Sequence, residues 1–312
     1  MRAFVLSGGG NRGALQAGAL KALLASGILP DLIVGSSVGA LHGAFLAAVP
    51  TAAQVERLFA LWREAGKRKL FGTASPWHIL SALFGRDHLA DNRRLRAYIV
   101  QALPPGTHTF GDLRLPLYVT ICHLATHVLY VCGHDPQAPL VDAILTSAAV
   151  PGFFPPTHHQ GQIFVDGGVI SNLPVQVALA QGATEIWALD LAFGYQADLT
   201  LRGALDIAGY AIRRPLYELA LCELERAVRT PGVTVHHIAL TGYPNLPLGD
   251  FSQTEAMLTE GERTAQAYLA QPCPNVIQRP QPANAPLSGP YGARHFHLIC
   301  QQPDHHRAAG QG

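Results

Sequence analysis

The chain has 312 residues, of which 48% are hydrophobic and only 14% charged, and its formal net charge is +1. That length holds one large domain or two small ones. A charge so near zero leaves no electrostatic footprint for nucleic acid, and no stretch offers the roughly 20 clean apolar residues of a membrane span. Five cysteines at wide spacing, with no Cys-x-x-Cys, argue against a disulfide framework or a zinc site and fit a reducing, cytoplasmic setting.

Arg2 to Leu6 reads as a first strand. No charged segment, apolar run and cleavage site precede it, so no signal peptide is expected. Gly8-Gly9-Gly10-Asn11-Arg12-Gly13 follows, then a helix over 14–26 closed by Gly27. Pro30 and Asp31 turn the chain into a short second strand, 32–34. Gly35-Ser36-Ser37-Val38-Gly39 comes next and leads into an Ala/Leu-rich helix. Gly35, Gly39 and Gly43 recur at four-residue steps and predict a helix lying close against its neighbour. Thr51 caps a helix that runs to Gly66. Lys67-Arg68-Lys69 after it is a short basic patch, read either as a solvated helix end or as a contact to lipid head groups.

Ser75-Pro76 opens a helix over 77–84, and Asp91 caps another over 93–101. Residues 117–123 and 128–132 read as paired strands with a turn near Ala125. A helix over 141–149 is broken by Pro151-Gly152. A strand over 162–165 runs into Asp166-Gly167-Gly168, and Pro174 sits in the first turn of a helix ending near Gly182. A strand over 184–189, a long helix over 199–229 with a break or kink at Pro215, a strand over 233–239 and a helix over 254–270 complete the pattern. From Gln271 onward Pro, Gln, His and Gly dominate and apolar periodicity vanishes. The expectation is a catalytic domain over 1–270 and a disordered C-terminal tail over 271–312, whose His295, His297, His305 and His306 are polar tail residues rather than metal ligands. Strands alternating with helices imply an α/β fold with a mainly parallel central sheet flanked by helices.

A strand, then G-x-S-x-G, then a helix is the context in which that motif marks a nucleophile, here Ser37. A serine hydroxyl needs a base to take its proton, and the oxyanion it creates needs fixed donors. The donor candidates are the backbone amides of Gly8 to Gly13, at the start of the first helix. Gly8, Gly10 and Gly13 also match the dinucleotide fingerprint G-x-G-x-x-G. That site requires an acid at the end of the second strand, where Gly35-Ser36-Ser37 stands instead; Asp31 lies before the strand. The base candidate is Asp166, whose blander reading is an Asp-Gly turn. Strand ends of a parallel sheet gather on one edge, which would bring the loops after Leu6, Val34 and Val165 together. A Ser-His-Asp triad stays open among the 15 histidines. His236 and His237 follow Ser37 and Asp166 in the right order but lie within a strand. His42, on the helix after Ser37, is expected to pack. A binding protein that keeps the fold without turnover, holding lipid or nucleotide, is the third reading.

Taken together, Gly8 to Gly13, Gly35 to Gly39 with Ser36 and Val38, Asp166-Gly167-Gly168 and the segment from Ser147 to Pro156 resemble the glycine-rich loop, nucleophile elbow, D-G-[GA] motif and preceding segment of bacterial patatin-like phospholipases. The likeness spans roughly Met1 to Leu191, with Ser7 standing where family members often have Asp. It implies a three-layer α/β/α fold and a Ser37–Asp166 dyad without histidine, acting on a lipid ester. Amides around Gly9 and Gly10 would hold the oxyanion, with Arg12 near that loop. It implies no metal or cofactor, and peripheral membrane contact fits such a substrate. Within 71–100, Trp77, Leu80, Leu83 and Phe84 would then form an acyl-chain wall or lid, or simply pack in the core.

Overall fold

The computed structural model describes residues 1–68, 88–192, 204–244, 246–247 and 249–279. The helix expected over 77–84 with its wall or lid, the first residues of the long helix, Lys69, and the tail histidines lie outside them.

Among the described residues one eight-stranded sheet carries the fold. Its strands are β1 (Arg2–Leu6), β2 (Leu32–Gly35), β3 (Leu117–His123), β4 (Val128–Cys132), β5 (Thr157–His159), β6 (Gln162–Asp166), β7 (Glu185–Asp190) and β8 (Thr234–Ala239). On one face pack α1 (Gly13–Ala25), α2 (Val38–Ala48), α3 (Ala52–Arg68), α4 (Arg93–Ala102), α5 (Leu140–Ser147) and α8 (Thr254–Ala270); on the other lie α6 (Val175–Ala180) and α7 (Ala204–Val228). Successive side chains of a strand point to opposite faces, and β1 shows the consequence. Phe4 and Leu6 enter the first core, and Ala3 and Val5 enter the second. Such a strand is buried on both sides, so it reads as a continuous apolar run.

The same logic explains α1. Its sequence, GALQAGALKALLA, is apolar all round, and a helix of that kind must be enclosed. It lies between the sheet and α8, and the two helices touch backbone to backbone. A Cβ added at Gly18 would stand 2.1 Å from the Leu258 carbonyl, and one at Gly261 only 1.8 Å from that of Leu15.

The strands β1, β2, β3, β7 and β8 run parallel to their neighbours in the order β3-β2-β1-β7-β8. β6 does not follow them. It pairs antiparallel with β3, through Ile121 to Asp166 and His123 to Phe164. The expectation that a common parallel direction gathers the three loops is therefore corrected. The reason is a hairpin that the sequence pattern hides: β5 is short and polar, and a turn at Gln160 (φ 49°) and Gly161 (φ 74°) sends the chain straight back as β6.

The pairing of β3 makes the result specific. One side of β3 is taken by β4 from Val119 to His123. The other side takes β2 as far as Gly35, opposite Val119, and then β6 from Asp166, opposite Ile121. β2 and β6 thus run toward each other along one side of the same strand, and their C-terminal ends meet across Thr120.

Beyond α8, the segment expected to be disordered from Gln271 is docked along β8 as far as Arg279. The Val235 amide donates to Asn275 Oδ1 (2.8 Å), the Ala239 amide donates to Gln278 Oε1 (2.9 Å), and the Asn275 amide donates to the Val235 carbonyl (2.7 Å). β8 ends the sheet, and an edge strand otherwise presents a row of unpaired backbone groups. Two side-chain amides take the place of a further strand. Asn275→Ala combined with Gln278→Ala should therefore lower stability by about 1–3 kcal/mol, read from the midpoint of urea unfolding; an unchanged midpoint would show that the segment does not protect the edge.

Candidate active site

β2 ends at Gly35, and the chain reverses into α2 within three residues. Ser37 takes the strain, at φ 55°, ψ −122°, a region that a non-glycine residue occupies only when its surroundings enforce it. Those surroundings are explicit. The Ser36 amide donates to the Leu6 carbonyl (3.1 Å), and the Gly39 and Ala40 amides donate back to the carbonyls of Ser36 (2.8 Å) and Ser37 (3.0 Å). The Ser37 amide donates to Ser147 Oγ at 2.8 Å. Gly39 lies so close to β1 that a Cβ there would stand 2.1 Å from the Leu6 carbonyl. The four-residue spacing of Gly35, Gly39 and Gly43 does report close approach, of α2 to the sheet beneath it.

The glycine-rich loop passes directly beside Ser37. A Cβ on Gly8 would lie 3.0 Å from Ser37 Cβ and 2.5 Å from Asn172 Oδ1. Asn172 holds this residue from both sides: its Nδ2 donates to the Gly8 carbonyl (3.1 Å) and its own carbonyl accepts the Gly8 amide (3.1 Å). Among the described residues the Gly9 and Gly10 amides have no backbone acceptor. Asn11 and Arg12 anchor the loop from behind. Asn11 Nδ2 donates to the carbonyls of Pro247 (2.9 Å) and Asp250 (2.6 Å), and Arg12 Nη1 reaches that of Pro244 (3.5 Å). Burial, and then the nearby Arg213, lower the Arg12 guanidinium to about 10. Ser7, where family members often carry Asp, accepts the Leu191 amide on its Oγ (2.8 Å).

Asp166 arrives on β6 from the opposite direction. It is 5% exposed and Ser37 is 8% exposed. Burial raises its carboxyl to about 6, against the lowering effect of the Gly168 amide, which donates to Oδ1 at 2.8 Å, and of the nearby Ser37 hydroxyl. Ser36 adds a weaker contact of the same sign without completing a hydrogen bond of normal geometry. Gly167 and Gly168 complete the turn, Gly167 being pressed against Thr120 where the two strand ends meet. Ser37, Asp166 and the Gly8 to Gly13 loop, read as three separate motifs, thus converge on one buried corner.

His42, His236 and His237 are engaged elsewhere. His42 is fully buried and accepts from Trp62 Nε1 on Nε2 (3.0 Å). An indole nitrogen only donates, so Nδ1 of His42 carries the proton and gives it to Gln16 Oε1 (2.8 Å). Gln16 Nε2 then donates to the carbonyls of Ser7 (3.3 Å) and Leu189 (3.1 Å). Burial pushes His42 down to about 3, so it stays neutral and packs, as expected. His236 stacks on Trp187, with ring centroids 4.0 Å apart, and its Nδ1 contacts the Tyr268 hydroxyl (3.1 Å). His237 pairs with Asp190 (3.4 Å) and accepts the Gln278 amide (3.0 Å). Asp31, the acid weighed for a dinucleotide site, binds the Arg2 amide at the start of β1 (2.6 Å), the end of the sheet away from the glycine loop.

Ser147, Asn172 and Thr120 were not assigned roles on sequence. Ser147 opens the segment whose family likeness is noted above, and that likeness is the one signal that draws notice to any of the three.

A family model described as Patatin-like phospholipase matches residues 4–179. The chain is 30% identical over 203 residues to patatin-like phospholipase domain-containing protein 7 of Rattus norvegicus, a match covering 64% of this chain and 14% of that protein. It is 29% identical over 195 residues to lysophospholipase NTE1 of Mycosarcoma maydis, covering 60% of this chain and 9% of that one. This chain therefore spans a small part of the length of these relatives. Among solved structures it is similar to VipD from Legionella pneumophila, with a TM-score of 0.45 and 14% identity over 86% of this chain and 66% of that one. The family model covers more than half of the 312 residues and takes in the glycine-rich loop, the elbow and Asp166, so the chain belongs to the patatin-like phospholipase family.

Proposed function

We propose that this protein is a serine lipid acyl hydrolase that cleaves fatty-acyl esters of phospholipids or lysophospholipids with a Ser37–Asp166 dyad. The observation that carries this reading is a strained Ser37 whose hydroxyl stands near the buried carboxyl of Asp166, beside the Gly8 backbone. Family membership supports the substrate class, and the name of one relative, a lysophospholipase, supports lipids with a single acyl chain.

In the first half-reaction Ser37 Oγ attacks the acyl carbonyl carbon while Asp166 takes the hydroxyl proton. The tetrahedral oxyanion is received by the amides of Gly9 and Gly10, fixed dipoles that need no reorganisation as charge develops. The intermediate collapses, the alcohol portion of the lipid leaves with the proton held by Asp166, and the acyl group stays on Ser37. In the second half-reaction Asp166 draws a proton from water, the hydroxide adds to the acyl carbonyl, and the fatty acid departs as Ser37 recovers its proton. An exposed carboxylate is too weak a base for this cycle. Desolvation makes Asp166 more basic and brings its affinity for a proton toward neutrality. The substrate resides in a lipid aggregate, so peripheral contact with such a surface accompanies turnover. Among the described residues no helix is long and apolar enough to cross a membrane.

Ser37→Ala and Asp166→Asn should each reduce hydrolysis of a short p-nitrophenyl ester by about a thousand-fold or more, with the fold retained by circular dichroism. His236→Ala and His237→Ala should keep most of the activity per folded molecule. Loss at either histidine equal to that of Ser37→Ala would replace the dyad by a triad. A wild-type Ser37 that fails to react with a fluorophosphonate would favour binding without turnover.

The pH dependence has a definite sign. Asp166 must be ionised in the free enzyme to accept the proton, and its carboxyl is raised to about 6. The kcat/KM for a soluble ester should therefore be constant above neutrality and fall about tenfold per pH unit below roughly pH 6. A midpoint near 4 would show a solvated carboxylate.

A further inference from the structure

The segment opening at Ser147 plays no part in the chemistry above, yet it touches the backbone of both reactive residues. The Ser37 amide donates to Ser147 Oγ (2.8 Å), and the Asp166 amide donates to the Ala149 carbonyl (3.0 Å). Both acceptors sit within three residues at the C-terminal end of α5. That end is rigid. Ser147 is wholly buried, as are Leu140 and Ile144 on the same helix. The Ala148 amide donates to the Ile144 carbonyl (2.9 Å) and the Ala149 amide to that of Thr146 (3.1 Å), so the helix runs into a closed turn.

β2 and β6 are not hydrogen-bonded to each other. They meet end to end, and β3 alone sets their register. At such a junction the separation of the two terminal residues rests on whatever bridges them. The left-handed conformation of Ser37 also turns its amide out of the sheet, and a buried N–H without an acceptor is costly.

We infer that the Ser147–Ala149 turn is a bracket that sets the distance between nucleophile and base, with Ser147 a positioning residue that holds the Ser37 amide and thereby the strained rotation of the nucleophile. A consequence follows for the oxyanion. With the Ser37 amide occupied by Ser147, that amide is not among the oxyanion donors. This inference rests on the Ser37–Asp166 reading.

The test is fluorophosphonate labelling with active-site counting. If wild-type Ser37 is not labelled, it is the dyad reading that fails. If it is labelled, Ser147→Ala should still label to completion, but about 10–100-fold more slowly, with kcat per labelled site reduced by the same factor and KM within about twofold, because a small misplacement of reacting groups acts on the chemical step. A merely structural role would lower the labelled fraction or the melting temperature and leave the rate per site alone. A rate within about twofold of wild type at full occupancy overturns the bracket. Should Ser147→Ala not fold, Ser147→Thr keeps the acceptor while Ser147→Val matches its shape without it. The first should label at least about fivefold faster than the second, and equal rates overturn the inference. In the unmodified protein, the Ser37 amide should be protected from hydrogen exchange like the core strands, and rapid exchange at that one amide overturns it as well.

Discussion

Two strands that end against one another organise this molecule. β2 and β6 occupy successive stretches of one side of β3, so Gly35 and Asp166 face neighbouring turns of the same ladder with Thr120 between them. A sheet normally separates its strand ends by the width of a strand or by the length of a connection. Here the ladder of β3 serves as a ruler for both chains. Ser37 and Asp166, distant in sequence, inherit their proximity from backbone pairing rather than from side-chain reach. The glycines follow from the same crowding. Four chain segments pass through this corner, and at Gly8 and Gly39 a single Cβ would collide with Ser37 or with the Leu6 carbonyl.

Confining a carboxylate in that corner changes its chemistry. Burial disfavours the charged form, and the lowering contacts present, the Gly168 amide and the nearby Ser37 and Ser36 hydroxyls, only partly offset it. The group that results titrates about where an imidazole would. Its base strength comes from desolvation, which the packing of β3, β6 and α5 already supplies. His42, His236 and His237 meet other needs, the neutral His42 in a relay from Trp62 through Gln16 to the Ser7 and Leu189 carbonyls. That relay satisfies polar groups beneath the glycine loop and stiffens the floor on which the loop rests.

Local chemistry made much of this legible from the sequence. The elbow is defined by small residues at fixed spacing, because the sharp turn at Ser37 admits little else. A glycine-rich stretch after β1 announces exposed amides, and apolar runs bounded by turn residues located β1, β2, β3, β4, β6, β7 and β8. Each of these features depends on residues within a few positions of one another, and their physics acts over the same range.

What only the tertiary structure decided is direction, partnership and dielectric environment. The sense of β6 turned on a three-residue polar strand, β5, too short to leave a periodic signal. The acceptor for the Ser37 amide is a serine 110 residues away, one hydroxyl among many until α5 is packed against α2. Asn275 and Gln278, which by composition belong to a polar tail, finish the edge of β8 because their side-chain amides match the spacing of its free backbone groups. The basicity of Asp166 is the clearest case. Its identity as a carboxylate is written in the chain, but its proton affinity is a property of the space around it, and that space exists only once the strands have met.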